Sequence, residues 1–279
     1  MSTHKKRHMT PGGIILTAIA IILAMAFLTP ILWTAAVSLK SEGMQITSAF
    51  AWFKPPYSIA AYPQVLFHSA VPTWFKNSLL VAVLTTAVTL IITPMAAYAI
   101  AKINFRGNRV LYVFFLLGMM IPFEALVVPL FITSNSLHII DSYTGLILPT
   151  VASSLNFIIM VSFIRQVPNE LLEAARLDGC GYWRSFIYVV LPLSRTIMIT
   201  IGIFTFTASW NNYLWPLLCI MSNNLFTLPI GIPQFAGTYT TDYVLPMTAN
   251  MVASLPLIIL FLIFERFIVK GVSLTGIKG

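Results

Sequence analysis

The sequence is poor in charge of either sign. Only 9% of its 279 residues are charged, and Asp and Glu together number 8. Soluble domains carry about 25% charged residues, so a water-soluble globule could not cover itself with this composition. Because 58% of the residues are hydrophobic, we expect an all-α integral membrane protein, in which each span satisfies its own backbone hydrogen bonds.

Metal-binding and nucleophilic side chains are also scarce. The 2 cysteines, Cys180 and Cys219, and the 4 histidines show no spacing that predicts a metal site or a disulfide framework. Gly271 and Gly276 have the spacing of half a phosphate-binding loop, but Ile277 precedes Lys278 and no Ser or Thr follows the lysine. We therefore expect no catalytic residue, metal or bound cofactor, and no ATP hydrolysis, in this chain.

Six apolar segments are long enough to cross a bilayer, since a helical span needs about 20 such residues. They cover residues 14–37, 78–101, 110–134, 145–164, 196–221 and 247–267. The predicted organisation is a tail (1–13), a first transmembrane helix (14–37), an extracytoplasmic segment (38–73), a membrane core (74–267) and a second tail (268–279).

The basic residues predict the orientation of these spans. With the N-terminus inside, the outer segments hold only Lys40, Lys54 and Lys76 of the 16 Lys and Arg residues. Positive charge concentrates on the cytoplasmic side of membrane proteins, so both termini and residues 165–192 are expected to be cytoplasmic. The excess of basic residues is explained by this orientation, and no nucleic-acid partner is expected.

Residues 169–192 form a polar island in this apolar chain. Pro168 suits the start of a helix, Glu170 its first turn, Arg176 its last turn, and Gly179 a left-handed stop. A second short helix should then lead to Pro192, at the entry to the fifth span. The helical pattern alone leaves two interpretations open: a docking surface for a partner protein, or an amphipathic helix resting on lipid.

Spaced residues in this island resemble a known motif. Glu173-Ala174-Ala175, followed by Gly179 after three residues and later by Val189 and Leu191-Pro192, resembles the EAA loop of bacterial ABC importer permeases. Val189 stands where that family usually has Ile. The stretches "VPNELLEAARLDG", "TASWNNYLWPL", "TLPIGIPQF" and "ERFIVKGVSLTGIKG" resemble the carbohydrate-uptake branch, and within it the second, maltose-type permease of each pair.

The resemblance implies a type I ABC importer permease fold in the bacterial inner membrane. It also implies four partners: a sister permease, an ABC ATPase dimer that holds ATP and Mg, an extracytoplasmic solute-binding protein and a carbohydrate substrate. Loop 165–192 would seat in the ATPase through Glu170, Glu173, Ala174, Ala175, Asp178, Gly179, Leu191 and Pro192.

Several polar and aromatic side chains of the spans are candidates for a substrate pathway. These are Glu124, Asn156, Trp210, Asn211, Asn212 and Tyr213, since amides bind sugar hydroxyls and aromatic faces cover sugar C–H surfaces. The alternatives are an interfacial aromatic belt, favoured for Trp215, and amide bonds between helices. For Glu124, between Pro122 and Pro129, the alternative is a bond to backbone groups that the prolines leave unpaired.

Residues 222–246 are expected to form an outer loop. In the maltose-type permeases that it resembles, a loop here meets the binding protein, which makes Gln234, Phe235 and Tyr239 docking candidates; a passive connector is the alternative. The rival function for the whole chain is an ion-coupled secondary transporter of small polar solutes. That class usually has several intramembrane ionisable residues, whereas this chain has Glu124.

Overall fold

The computed structural model describes residues 11–41, 51–238 and 243–276, and this part of the chain contains helices and no strand. The helices are α1 (Pro11–Ser38), α2 (Ala61–Phe67), α3 (Val71–Lys102), α4 (Asn108–Gly118), α5 (Phe123–Ser136), α6 (Tyr143–Ile147), α7 (Ser154–Arg165), α8 (Asn169–Leu177), α9 (Tyr182–Ser185), α10 (Leu191–Leu193), α11 (Arg195–Trp210), α12 (Leu214–Cys219), α13 (Leu228–Thr238) and α14 (Val244–Gly276). The chain divides into two compact units, Met1–Ser69 with Phe235–Val252, and Ala70–Gln234 with Ala253–Gly279.

The first unit is organised around the end of α1. Every side chain from Ile14 to Leu32 is exposed, whereas Ala36, Val37 and Ser38 are buried. The Ser38 hydroxyl forms a hydrogen bond of 2.8 Å with the Tyr62 hydroxyl, and Thr248 Oγ1 donates to the Ser38 carbonyl over 3.4 Å. Three segments distant in sequence therefore meet at one polar contact.

The core of the second unit lies where α7 and α11 pack against α3. Ala97, Met160, Val161, Ile164 and Ile201 are almost completely buried there. Small and β-branched side chains let these helices approach closely, and the cluster extends to Leu172 of α8. The membrane core and the loop below it thus share one set of packed side chains.

Among the described residues, three helices are long and apolar enough to cross a membrane unaided: Gly12–Ser38, Val71–Lys102 and Val244–Glu265. The other candidate spans are pairs of helices that bend at a break, Asn108–Gly118 with Phe123–Ser136 by 108°, Tyr143–Thr150 with Ser154–Arg165 by 44°, and Tyr182–Leu193 with Arg195–Trp210 by 77°. If each bent pair crosses once, the described residues hold six spans, which is the predicted number. The pair that ends at Trp210 begins earlier than the predicted fifth span, because Tyr182–Leu193 belongs to the predicted loop 165–192.

The structure corrects the predicted third and fifth spans. Residues 110–134 do not form one straight helix, because Pro122 adopts extended backbone and starts a new helix at Phe123. Pro129, by contrast, stays inside that helix. Residues 196–221 are likewise not one helix, because α11 ends at Trp210 and a short separate helix, α12, follows. Proline interrupts a helix only where its surroundings accept the break, which the sequence does not show.

A carboxylate joins the loop before α6 to the chain after α12. Asp141 accepts hydrogen bonds from the Met221 amide at 3.0 Å and the Ser222 amide at 2.9 Å, and a short one from the Ser222 hydroxyl. Its own amide donates to the Cys219 carbonyl over 2.8 Å. Asp141 has a φ of 56°, a left-handed backbone that Asp tolerates better than most residues. These donors hold the pKa of the Asp141 carboxyl below its usual range.

A buried amide on α3 makes a second polar connection. Asn77 Nδ2 donates to the carbonyls of Asn224 and Phe226, both over 2.8 Å, and Asn77 Oδ1 accepts from the Tyr143 hydroxyl over 2.7 Å. The neighbouring Ser78 hydroxyl accepts from the Leu228 amide, also at 2.8 Å. The start of α3 is therefore fixed to α6 and to the entry of α13.

We predict that Asp141→Ala destabilises the folded chain by about 1 kcal/mol, because two amides and a hydroxyl lose their acceptor at a partly exposed site. A lowered folded-state pKa contributes stability that is fully present above the unfolded value, about 3.9, and is lost as pH falls through the folded pKa. Thermal unfolding in detergent should therefore separate Asp141→Ala from the parent at neutral pH and less so in acid.

Asp178→Ala is the matched control, since Asp178 is exposed and its side chain forms no hydrogen bond among the described residues. If the thermal unfolding midpoint of Asp141→Ala at pH 7 equals that of the control, the hydrogen bonds of Asp141 contribute nothing to stability.

Candidate functional site

The polar island folds as a helical hairpin. Helix α8 begins directly after Pro168, with Glu170 in its first turn and Arg176 in its last, as the sequence predicts. Gly179 has a φ of 80°, and the amide of Cys180 donates to the Ala175 carbonyl over 2.8 Å to close the turn. The predicted left-handed stop at Gly179 is confirmed. A side chain at this position would strain the backbone even though nothing lies within 4 Å of its Cβ.

One face of α8 belongs to the core of the second unit. Leu172 is buried in the cluster that contains Ile164, Phe186 and Val190, and Ala175 is 8% exposed. The expectation that Ala174 and Ala175 are both presented to a partner is therefore wrong for Ala175, which packs inward. The small side chain at 175 instead lets α8 lie close to its own chain.

The opposite face of α8 is exposed and mixes acid with apolar surface. Glu170, Glu173 and Ala174 lie on it, together with Leu171 and Leu177. Leu177 is 89% exposed. Sequence analysis missed both leucines, although their spacing with Ala174 is three residues on each side, which puts the three on one helical face. This surface is suited to contact with another protein.

A lysine at the end of α3 fastens the start of the hairpin. Lys102 Nζ donates to the Val167 carbonyl at 2.6 Å and to Asn169 Oδ1 at 2.8 Å, with a longer contact of 3.5 Å to the Arg165 carbonyl. The link from α7 to α8 is thereby tied to a helix of 32 residues, about 48 Å long. Sequence analysis counted Lys102 only as an inner positive charge.

After the turn at Gly179, the chain forms one continuous helical stretch, Tyr182–Leu193, which contains a π-helical turn at Phe186–Val190. Leu191 is half-buried and Pro192 exposed at its end, and the backbone then bends by 77° into α11. Phe186 contacts the ring of Tyr98 on α3, with 5.4 Å between ring centres. Leu191 and Pro192 thus lie directly before α11, and their place at the entry to the fifth span stays a prediction.

A small polar cavity of about 180 Å³ lies between α3, α7 and α11. It is lined by the side chains of Thr85, Asn156, Thr205, Ser209 and Asn212, among others. Asn156 is buried, and its Nδ2 donates to Thr205 Oγ1 over 2.9 Å. Thr85 is 1% exposed, and its hydroxyl has no hydrogen-bond partner among the described residues. Sequence analysis had singled out Asn156 and Asn212 but neither threonine.

The other predicted pathway residues lie outside this cavity. Trp210 is buried, donates to the Ala253 carbonyl over 3.1 Å and stacks on Phe206, so it serves packing. Asn211 caps α11 and is exposed, with its amide bonded to the Thr207 carbonyl, and Tyr213 is also exposed.

Two further residues singled out by the sequence are Glu124 and Trp215, and the pathway role of Glu124 stays a prediction. Glu124 lies in the first turn of α5 and is exposed, where a negative charge suits the helix N-terminus. Trp215 does not belong to an interfacial belt. Its side chain is fully buried, and its indole N–H donates to the Gly145 carbonyl over 2.9 Å.

The predicted outer loop is partly helical. Helix α13 covers Leu228–Thr238 and includes Gly231. A Cβ on Gly231 would lie 2.3 Å from the Trp74 ring, which explains the glycine by close packing. Gln234 is exposed, whereas the side chain of Phe235 and all of Tyr239 lie outside the described residues. The docking role of these three stays a prediction.

A search against protein families matches residues 92–274 to the binding-protein-dependent transport system inner membrane component. The chain belongs to this family. The match covers most of the second unit, including the hairpin and the polar cavity. It makes the protein a multi-pass membrane transport subunit rather than a catalytic enzyme. No three His, Cys, Asp or Glu side chains in the described ranges lie where they could hold a metal ion.

Named transport permeases are among the relatives. The arabinooligosaccharides transport system permease protein AraQ of Bacillus subtilis is 37% identical over 206 residues, 74% of this chain and 73% of that protein. The trehalose/maltose transport system permease protein MalG of Thermococcus litoralis is 32% identical over 266 residues, 93% and 95% of the two chains.

A solved structure supports the permease fold. A chain from the crystal structure of a bacterial ABC transporter involved in the import of the acidic polysaccharide alginate superposes with a TM-score of 0.81. The alignment covers 95% of this chain and 98% of that one, at 23% identity. The predicted type I ABC importer permease fold is confirmed.

Proposed function

We propose that this permease forms, with a sister permease, the translocation pathway for a sugar or sugar derivative, driven by ATP hydrolysis in a separate ATPase dimer. The observation that carries the proposal is the hairpin at α8, which buries Leu172 and Ala175 in the permease core and exposes Glu173 and Leu177. A helix anchored on one face and exposed on the other can transmit movement between two proteins. The carbohydrate class is supported by the relatives, which are named for arabinooligosaccharides and for trehalose and maltose.

In the proposed cycle, ATP and Mg are held by the ATPase, and the exposed face of α8 seats in that subunit. Closure of the ATPase pair moves α8, and the Lys102 hydrogen bonds pass the movement to α3. A solute-binding protein delivers the sugar from outside and docks at Gln234, Phe235 and Tyr239. Each ligand shifts the equilibrium between inward- and outward-open states through its different affinity for them.

The polar cavity is the proposed contribution of this chain to the sugar path. Its amides and hydroxyls, from Asn156, Asn212 and Thr85, are the groups that bind sugar hydroxyls. A cavity of about 180 Å³ is smaller than ordinary ligand sites, which occupy roughly 300–1,000 Å³. One chain therefore supplies one wall of a site, and a sister permease would supply the other.

We predict that Glu173→Ala and Gly179→Ala abolish uptake while the chain still inserts into the membrane. The first removes a charge-assisted contact, which corresponds to roughly 10- to 100-fold weaker seating of the ATPase. The second strains a residue with a φ of 80°. Both should lower ATP hydrolysis by the assembled complex with and without the binding protein.

Gly181→Ala is the matched control, because Gly181 has a φ of −75° and open space around its Cβ. Full transport by both Glu173→Ala and Gly179→Ala would contradict the coupling role of the hairpin.

Replacing Gln234, Phe235 and Tyr239 by Ala should instead reduce only the hydrolysis stimulated by the binding protein. If the binding protein stimulates ATP hydrolysis equally in the triple variant and the parent, the outer segment is only a connector.

We predict that Thr85→Val raises the sugar concentration for half-maximal uptake about 5- to 10-fold, the value of one ordinary hydrogen bond. Because the Thr85 hydroxyl has no partner in the described chain, its loss should leave the unfolding midpoint unchanged or higher. Thr89→Val is the comparison. Thr89 Oγ1 donates to the Val151 carbonyl over 3.0 Å and does not line the cavity. Thr89→Val should lower the unfolding midpoint and leave the affinity for sugar unchanged. Uptake by Thr85→Val at the parental sugar concentration would show that the cavity is not part of the sugar path.

We also propose that both termini and the hairpin face the cytoplasm, as the charge distribution indicates. A cysteine introduced at position 178, in a chain whose Cys180 and Cys219 are replaced by Ser, should react with an impermeant maleimide only after the cells are opened. Equal labelling of position 178 in intact cells would reverse the orientation.

A further inference from the structure

The turn between α3 and α4 is held rigidly by one amide. Asn108 Nδ2 donates to the carbonyl of Ile100 over 3.0 Å and to that of Ile103 over 2.9 Å. Gly107 precedes it with a φ of 95°, which turns the chain back toward the membrane. Because two apolar helices meet at this turn, we expect the turn to lie at the surface of the bilayer. The arginines on either side of Asn108 therefore have defined positions there.

Three arginines line a cleft beside this turn. Arg106, Arg109 and Arg165 line one cleft of about 670 Å³, together with Asn104 and Asn108. The guanidinium of Arg165 stacks on the Tyr112 ring, 4.0 Å from its centre, which fixes its place at the end of α7. No carboxylate lines the cleft, and none pairs with these arginines in the described ranges. Mutual repulsion of three cations favours a bound anion.

An exposed apolar surface continues from the cleft along α4. Val110 lines the cleft itself, and Val110, Phe114 and Leu117 are spaced by four and three residues, so they share one helical face. They are 72%, 67% and 55% exposed. Helix α4 has 11 residues and is about 16 Å long, roughly half of a 30 Å hydrocarbon core. Its length matches a single leaflet.

We propose that this cleft binds the phosphate of an anionic phospholipid, whose acyl chain lies along the Val110, Phe114 and Leu117 face of α4. The arginines account for a phosphate, and the apolar face that begins inside the cleft accounts for an attached hydrocarbon chain. An inorganic phosphate would use only the first feature. An acidic protein surface would account for the arginines, but it would not account for the apolar face of α4 that begins in the same cleft. Basic pockets at helix ends are known to hold lipid headgroups.

The test uses the full chain, as purified, in phosphatidylcholine nanodiscs with increasing amounts of a phosphatidylglycerol that carries a photoreactive acyl chain. Irradiation should label peptides from α4, saturating with the probe. The double variant Arg106→Gln/Arg109→Gln should need about 30-fold more probe, since each arginine near an anionic lipid is worth about a factor of five. Arg165 is left unchanged because its stacking on Tyr112 supports the fold.

Arg184→Gln/Arg195→Gln is the matched control, since both arginines are exposed and outside the cleft and their removal changes the net charge equally. The control should label as the parent does. Equal labelling of α4 in the parent and in Arg106→Gln/Arg109→Gln would overturn the proposal, as would labelling confined to other helices.

Two additional measurements distinguish a phospholipid from inorganic phosphate and from a partner subunit. Inorganic phosphate at millimolar concentration should not displace the probe, whereas unlabelled phosphatidylglycerol should; displacement by inorganic phosphate alone would reduce the site to a phosphate site. The labelling should persist in the complex with the subunits that co-purify. Its loss there, with a protein–protein cross-link at position 109 instead, would assign the cleft to a partner subunit and reject the lipid.

Discussion

The ammonium group of Lys102 connects the two halves of the proposed mechanism. It lies at the end of α3, the helix against which α7 and α11 pack, and it donates to the chain just before α8. Only 9% of the residues of this chain are charged, so few other charged side chains could replace this contact. A displacement of α8 must therefore either move the end of α3 or break the hydrogen bonds to Val167 and Asn169.

Local signals in the sequence predicted the hairpin well. Pro168, Glu170, Arg176 and Gly179 act within one or two turns of the backbone, so their effect does not depend on distant residues. Glu170, Arg176 and Gly179 have the positions that the sequence indicates, and Pro168 lies one residue before the first helical residue rather than at the first position. The inward packing of Ala175 was not predictable in the same way, because it depends on which face of α8 meets Phe186 and Ile164, residues that only the tertiary fold brings near.

The membrane spans show the limit of hydropathy. Their number and approximate place follow from apolar length, but the break at Pro122 and the end of α11 at Trp210 depend on neighbours that satisfy the backbone. The cavity illustrates the same limit. Asn156 was recognisable as a costly amide in a span, whereas Thr85 and Thr205 look like ordinary helical threonines until α3, α7 and α11 are placed together.

The exposed stretch of α1 has a consequence for how the chain is made. From Ile14 to Leu32 no side chain is buried against the described residues, and the helix is apolar on all sides. Such a segment reaches its lowest free energy as soon as lipid surrounds it. Its release from the ribosome-bound insertion machinery therefore need not wait for the synthesis of α3, α7 or α11. The first span can be in place, holding the growing chain in the membrane, before any of the core helices has a partner to pack against.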